Sequence, residues 1–492
     1  MTRDAAETSN IGESLAAIGA ALDEFARFGH GDAQPARERW QRMLEQPLPR
    51  HGAGLDTVLA ELCEQLIPNG SAVARPGFSA YITTGPTTVA IAAATAAMLA
   101  APQRQMLHAF NFIEELSLDW LRELLGLPVC MKGIYSSGGS VANLVALGGA
   151  RQWALEQAGI DPAAEGMSRR AVLYASSETH HTVKRAAGVL GIGRNNVINI
   201  ETDRQGRIVP RALRERIAQD RARDVLAVAV VASAGTTNTG AIDPLYEIGS
   251  IAAEHGLWFH VDGAYGLFGI LDQRKAPLYR GIELADSAIV DPHKWMGAPV
   301  GVAASFVRDR ELLLRAFTQE PAAYLEGSVH NEDAVHSMDS LGIPYADFGI
   351  ELSAAPRGVV VWAMLREIGA AGMRERVVRH NDMASHVAER ARADPRLELL
   401  LEPTLSVCCF RFRAPGIGDL DAFNRRIHRR LLQGNEHLPS TTMVNGCLAI
   451  RPCFIGARTT ARYADELVDA VLDIGQRLLA ADGSGTAIAL PV

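Results

Sequence analysis

Lys294 lies in the run Asp291-Pro292-His293-Lys294-Trp295, directly after an apolar segment that ends at Val290. Partial burial disfavours an ammonium ion, so a lysine hemmed in by Pro292 and Trp295 is suited to react as an amine and form an imine. Taken alone, the same residues describe a structural Lys–Asp pair equally well. A second group, Asp262, lies in Phe259-His260-Val261-Asp262-Gly263-Ala264-Tyr265-Gly266. It stands at the carboxyl end of an apolar strand, where ligands collect in open α/β sheets. A carboxylate there can pair with a protonated pyridine nitrogen and keep the ring an electron sink, and the small Gly263 and Ala264 let a flat ring lie against the backbone. On its own it could also be a helix cap or a core ion pair.

Three more segments sit in comparable places. Ser136-Ser137-Gly138-Gly139-Ser140 precedes a helical run, and its backbone N–H groups with a serine hydroxyl form a phosphate cradle. His180 follows the strand 171–175, where an imidazole can stack on a ring or move a proton. Gly235-Thr236-Thr237 follows the strand 225–232, and Thr237 there can hold a phenolic oxygen or a carboxylate. Each signal is modest, but their order and shared location predict pyridoxal 5′-phosphate held as a Schiff base on Lys294. If the chain is extended there, His181 faces away from His180. The spacing of His180, His181, His255 and His260 matches no compact zinc set, so no metal is expected.

The elements that position these residues alternate. Between 134 and 307 strands at 171–175, 225–232, 257–261, 287–290 and 301–307 interleave with helices at 141–157 and 244–255. This predicts an α/β architecture, a mostly parallel central sheet with helices on both faces. Upstream, 11–30, 37–47, 87–99 and 111–126 have helical spacing, and 69–86 is rich in Gly, Pro, Ser and Thr, as an active-site wall would be. Residues 316–357 form a long, weakly periodic connection, and 359–368 resumes a helix. Strands at 406–413 and 447–453, with helices near 419–432 and 461–479, predict a small C-terminal α+β domain. Cys408 and Cys409 sit in an apolar run and read as core.

The chain has 492 residues, of which 48% are hydrophobic and 21% charged, enough for two or three packed domains. The formal net charge of −8 and the lack of a long Lys/Arg block argue against a nucleic-acid surface. Residues 1–10 carry no apolar segment of a secretory signal, and the Ala-rich run 87–101 is too short to span a bilayer, so no membrane association and a cytoplasmic location are expected.

With Asp291-Pro292-His293-Lys294-Trp295 and His260-Val261-Asp262-Gly263-Ala264-Tyr265 as its most specific pieces, the chain resembles the group II pyridoxal-phosphate-dependent amino-acid decarboxylases. The likeness runs over about residues 70–480. It implies the fold type I of pyridoxal-phosphate transferases, with Lys294 as the Schiff-base lysine, Asp262 on the pyridine nitrogen and Ala264 beneath the ring. His180 would stack on the ring, Thr237 would lie near the cofactor oxygen, Gly138, Gly139 and Ser140 would hold phosphate, and His293 would assist the phosphate or a proton transfer. Tyr81, Ile82 and Thr84 fall where the family binds substrate. The resemblance also implies a homodimer with the active site at its interface. Residues 1–95 would be an N-terminal helical arm for dimerisation and part of the substrate wall, 96–368 the large cofactor domain and 369–492 the small domain.

Three departures stand out. Asp291 replaces the family's usual asparagine. A basic run ahead of Trp362 is reduced to Arg357. The loop between 326 and 344 lacks the family's tyrosine, with His330 and His336 inside it and Tyr324 and Tyr345 at its flanks. The expected reaction is decarboxylation of an L-α-amino acid to the amine and CO2. Phe78, Tyr81 and Ile82 favour an apolar or aromatic side chain. Arg75 and Arg104 keep an acidic substrate open, and Glu326, Glu332 and Asp333 a basic one. The missing tyrosine leaves oxidative conversion to an aldehyde, or another lyase reaction, as the alternative. A catalytically silent scaffold is the non-enzyme alternative.

Overall fold

The computed structural model describes residues 10–29, 37–101, 108–318 and 343–483. The N-terminal part contains α1 (Ile11–Phe25), α2 (Arg37–Leu44), α3 (Leu55–Glu61), β1 (Phe78–Ser79), α4 (Thr88–Ala100) and α5 (His108–Leu124). Then come β2 (Lys132–Ser136), α6 (Gly139–Glu156), β3 (Ala171–Ser176), α7 (Thr182–Val189), β4 (Val197–Ile200), α8 (Pro210–Arg221), β5 (Leu226–Ser233), α9 (Leu245–Glu254), β6 (Trp258–Asp262), β7 (Ser287–Val290), β8 (Ala303–Val307) and α10 (Glu311–Phe317). The C-terminal part holds α11 (Gly358–Ala393), β9 (Leu397–Leu401), β10 (Cys409–Phe412), α12 (Leu420–Gly434), β11 (Leu438–Val444), β12 (Cys447–Arg451) and α13 (Ala461–Gly483).

Seven strands form the central sheet in the order β2-β8-β7-β6-β5-β3-β4. The pairs from β7 to β4 are parallel, while β8 runs antiparallel to both β7 and β2. Two successive reversals return β2 to the direction of β7, so β2, β3, β5, β6 and β7 all end at one edge. β6, β7 and β8 are buried throughout, and β5 from Val228 onward, which explains their near-continuous apolar sequences. Helix α6 is apolar around most of its circumference because it is packed under the sheet, with Ala142, Leu144, Val145 and Leu147 all buried.

A five-stranded sheet, β1-β11-β12-β10-β9, builds the C-terminal domain around a separate core that includes Phe410, Phe412, Phe423 and Ile427. Strand β1 joins it from the N-terminal part, with Phe78 opposite Leu438. That approach needs Gly77, since a Cβ there would lie 1.9 Å from Glu436 O. Helix α11 is broken at Gly369 (φ 66°, ψ 178°).

The sheet, its parallel character and the flanking helices agree with the fold expected from the sequence. Cys408 and Cys409 are buried, as expected of core residues. The first helix stops at Phe25 rather than near 30, and Phe28 takes a left-handed conformation (φ 53°). The strand expected at 406–413 shortens to Cys409–Phe412, and β4, α8, β9, β11 and residues 370–393 of α11 are further elements. No helix among the described residues is long and apolar enough to cross a membrane.

Candidate active site

The shared strand edge gathers the residues singled out in the sequence. Asp262 ends β6, opposite Ser233 of β5 and Ile289 of β7. The turn after β5 carries Thr237, the turn after β3 carries His180, the turn after β2 leads into Gly139 and Ser140 of α6, and the turn after β7 carries Asp291 to Lys294. His180 lies within electrostatic reach of Asp262, Lys294 and Asp291. Ala264 joins two of these turns: its N–H donates to Asp262 Oδ1 at 3.2 Å and its carbonyl accepts from Asp291 N at 3.0 Å.

Asp262, 7% exposed, is held by a buried network that sequence reasoning missed. Asn143 Nδ2 donates to Asp262 Oδ2 at 3.1 Å and to Thr182 Oγ1 at 3.2 Å. Asn143 Oδ1 is 2.9 Å from His260 Nε2, His260 Nδ1 is 2.8 Å from Ser287 Oγ, and Thr182 Oγ1 is 2.8 Å from His180 Nδ1. A carboxylate only accepts, so Asn143 must turn its NH2 toward Asp262 and its oxygen toward His260. His260 therefore carries its proton on Nε2. Thr182 Oγ1 accepts from Asn143 and pairs with His180 Nδ1; with the Thr182 O–H directed at Nδ1, neutral His180 carries its proton on Nε2. Burial pushes His260 down to about 4 and also lowers His180, so both imidazoles are neutral near pH 7.

The lysine turn is anchored by its tryptophan. Trp295 is fully buried, stacks on Tyr265 with ring centroids 5.0 Å apart, and donates from Nε1 to His380 Nδ1 at 2.9 Å. Tyr265 and Ser406 share a 2.5 Å hydroxyl contact. Lys294 Nζ is 2.9 Å from Asp291 Oδ2. His293 donates from Nδ1 to Val302 O at 2.7 Å, and burial lowers its pKa.

These groups suit pyridoxal phosphate. The first turn of α6 leaves the Gly139 and Ser140 N–H groups without intrahelical acceptors. An added Cβ on Gly139 would lie 2.6 Å from Asp291 Oδ2, so that turn has room only for glycine. A carboxylate for a ring N–H, an amine for an aldehyde and an anion cradle thus share one edge.

The wall residues are placed unevenly. Tyr81 is 69% exposed in a left-handed conformation (φ 55°), its ring 6.4 Å from that of Phe78. Ile82 packs on the main core. Thr84 is buried and donates to Gly85 O, so its hydroxyl is engaged by the main chain. Thr237 is exposed while Thr236 is buried against Thr239. Arg451, another residue that sequence reasoning passed over, is 3% exposed and donates to the carbonyls of Tyr81, Thr237 and Asn238. Its signal was a cation inside the apolar run 447–453. His180 and His181 do not diverge: His181 is in a helical conformation and the ring centroids are 4.2 Å apart. Tyr345 is buried and donates to Glu115 Oε2 at 2.6 Å. Tyr324, Glu326, His330, Glu332, Asp333, His336 and Arg104 lie outside the described residues.

The family model of the pyridoxal-dependent decarboxylase conserved domain matches residues 37–413. The chain is 33% identical over 352 residues to an aromatic-L-amino-acid decarboxylase of Bacillus atrophaeus, covering 71% of this chain and 70% of that one. It is 29% identical to an acidic amino acid decarboxylase of Mus musculus, covering 78% and 68% respectively. The crystal structure of Oryza sativa TDC with PLP and tryptamine superposes with a TM-score of 0.85 at 24% identity, covering 95% of this chain and 99% of that one.

Proposed function

The chain belongs to the pyridoxal-dependent decarboxylase family, and from that premise we propose that it decarboxylates an L-α-amino acid with an apolar or aromatic side chain. The cofactor is pyridoxal 5′-phosphate, which when bound accepts the electron pair released as the carboxylate leaves Cα. In our reading Lys294 supplies the amine that holds the cofactor covalently. The Asp262 carboxylate accepts from its ring N–H, and the Asn143 and Ala264 N–H groups keep that carboxylate aimed. Gly139, Ser140 and His293 hold phosphate, with Gly138 opening the turn. His180 presents Nε2–H because Thr182 occupies Nδ1, and the Thr237 hydroxyl is open to the site.

The observation that carries the substrate class is the state of the cations around the wall. Arg75 donates to Asn435 O, Arg458 to Pro86 O, and Arg451 to Tyr81 O, Thr237 O and Asn238 O. Arg451 is spent on main chain that shapes the wall, Arg75 and Arg458 each give an N–H to main chain, and a second carboxylate on the substrate would have to compete for them. Phe78, Tyr81 and Ile82 supply apolar surface. Incubating the holoenzyme with the twenty amino acids, diaminobutyrate, ornithine and dihydroxyphenylalanine, while following CO2, amine, carbonyl product and oxygen, tests the reading. Preferred turnover of an aromatic or aliphatic amino acid to its amine is expected. Preferred turnover of glutamate or a diamino acid contradicts the substrate class, and an aldehyde with oxygen uptake contradicts simple decarboxylation.

A further inference from the structure

Asp262 has a role in the proposed reaction; a second carboxylate in the same corner, Asp291, has none. Asp291 is 1% exposed. Its Oδ2 is 2.9 Å from Lys294 Nζ and 3.6 Å from His293 Nε2, and its Oδ1 has no hydrogen-bond partner among the described residues. Both oxygens abut the first turn of α6, 2.6 and 3.1 Å from the position a Cβ on Gly139 would take. The groups facing it are Lys294 and His293 on its own turn, uncharged backbone on α6, and His180 on the turn after β3. Lys294 is thus the cation that balances Asp291 while the lysine is free.

Loading the cofactor removes that balance, given the reading above that the cofactor joins Lys294 and seats its phosphate on α6. Lys294 enters as an ammonium ion. It releases one proton so that its nitrogen can bond the aldehyde carbon; that proton and a second from nitrogen leave with the aldehyde oxygen as water, and one stays on nitrogen. That step takes up no net proton, but it leaves one N–H where there were three, and it brings a phosphate dianion to the turn beside Asp291. A buried carboxylate that loses donors and gains an anionic neighbour is driven toward its neutral form. We propose that Asp291 takes a proton from solvent as the cofactor loads and then donates its O–H to the phosphate, so that loading is coupled to proton uptake and weakens as pH rises.

Calorimetric titration of the cofactor-free full-length chain with pyridoxal 5′-phosphate, in buffers of different ionisation heat, counts the protons. Wild type is expected to take up about one proton more than Asp291→Asn, and its Kd to rise by up to about tenfold per pH unit relative to the variant between pH 7 and 9. Pyridoxal, which lacks the phosphate, should show a smaller excess; this comparison within the wild type keeps the test decisive if the variant folds poorly. Equal proton counts in wild type and variant overturn the proposal, as does an equal uptake with pyridoxal and its phosphate. Failure of borohydride to fix the cofactor on Lys294 would instead remove the reading on which the proposal rests.

Discussion

Asn143 stands between Asp262 and His180, and one amide sets both. Its NH2 donates to Asp262 Oδ2 and to Thr182 Oγ1, which in turn pairs with His180 Nδ1. Thr182→Val preserves shape and removes the donor to His180 Nδ1. We expect the variant to bind cofactor normally, to lose roughly ten- to hundredfold in kcat with little change in KM, and to be rescued by Thr182→Ser. Steady-state kinetics with a cofactor absorbance spectrum checks this. Unchanged kcat in Thr182→Val would mean that His180 is oriented without Thr182.

At the scale of elements, the turn after β7 is held to α11 by hydrogen bonds from Trp295 Nε1 to His380 Nδ1 and from Arg376 Nη1 to Met296 O. His380 Nδ1 accepts from Trp295, while its Nε2–H donates to Gly456 O at 3.1 Å. Burial pushes His380 down to about 3 and His260 to about 4. Both folded values lie below that of an unfolded histidine near 6.5. Above that pH both states are neutral and nothing is gained or lost. Below it the unfolded chain takes up protons that the folded chain refuses. Stability therefore falls with decreasing pH from about 6.5 toward 4, by roughly 1.4 kcal/mol per unit for each histidine. Thermal unfolding midpoints should drop steeply between pH 7 and 5, and His380→Gln should flatten that slope; identical slopes would place the acid sensitivity elsewhere.

The same elements show what the sequence made legible. The parallel strands were readable because burial on both faces makes them continuous apolar runs, as in β5, and Lys294 and Asp262 were readable because each follows such a run. Asn143 was not, because its bond to Asp262 spans 119 residues and an asparagine in an apolar helix gives no sign of what it faces. Helix α8 was missed because it is largely charged, with Leu213 and Ile217 its buried apolar anchors. Of the three departures, Asp291 is the one the structure brings into the site, and Arg357 is retained as a strut to Glu351 and Gly301 O.

At the scale of the whole molecule, the N-terminal part has apolar side chains that stand exposed among the described residues. Helix α1 buries none of its residues, with Ile11 and Leu15 exposed. Helix α4 contains no charge, yet Met98 and Leu99 are 78% and 73% exposed. We read this face as the contact with a second copy, the homodimer expected from the sequence. Break α11 at Gly369 supports, as a proposal, the division between large and small domains drawn after residue 368. Sedimentation of the holoenzyme should give twice 52.8 kDa, and Met98→Glu combined with Leu99→Glu should shift it toward single chains. A fully active species of one chain's mass would contradict the dimer.

We propose that Lys294, at the meeting of five strand ends, holds the cofactor. Borohydride reduction of the holoenzyme followed by peptide mapping tests it most directly. A phosphopyridoxyl group is expected on Lys294 and is expected to be absent from Lys294→Ala. Label on Lys184 or Lys275 instead, with Lys294 unmodified, would contradict it.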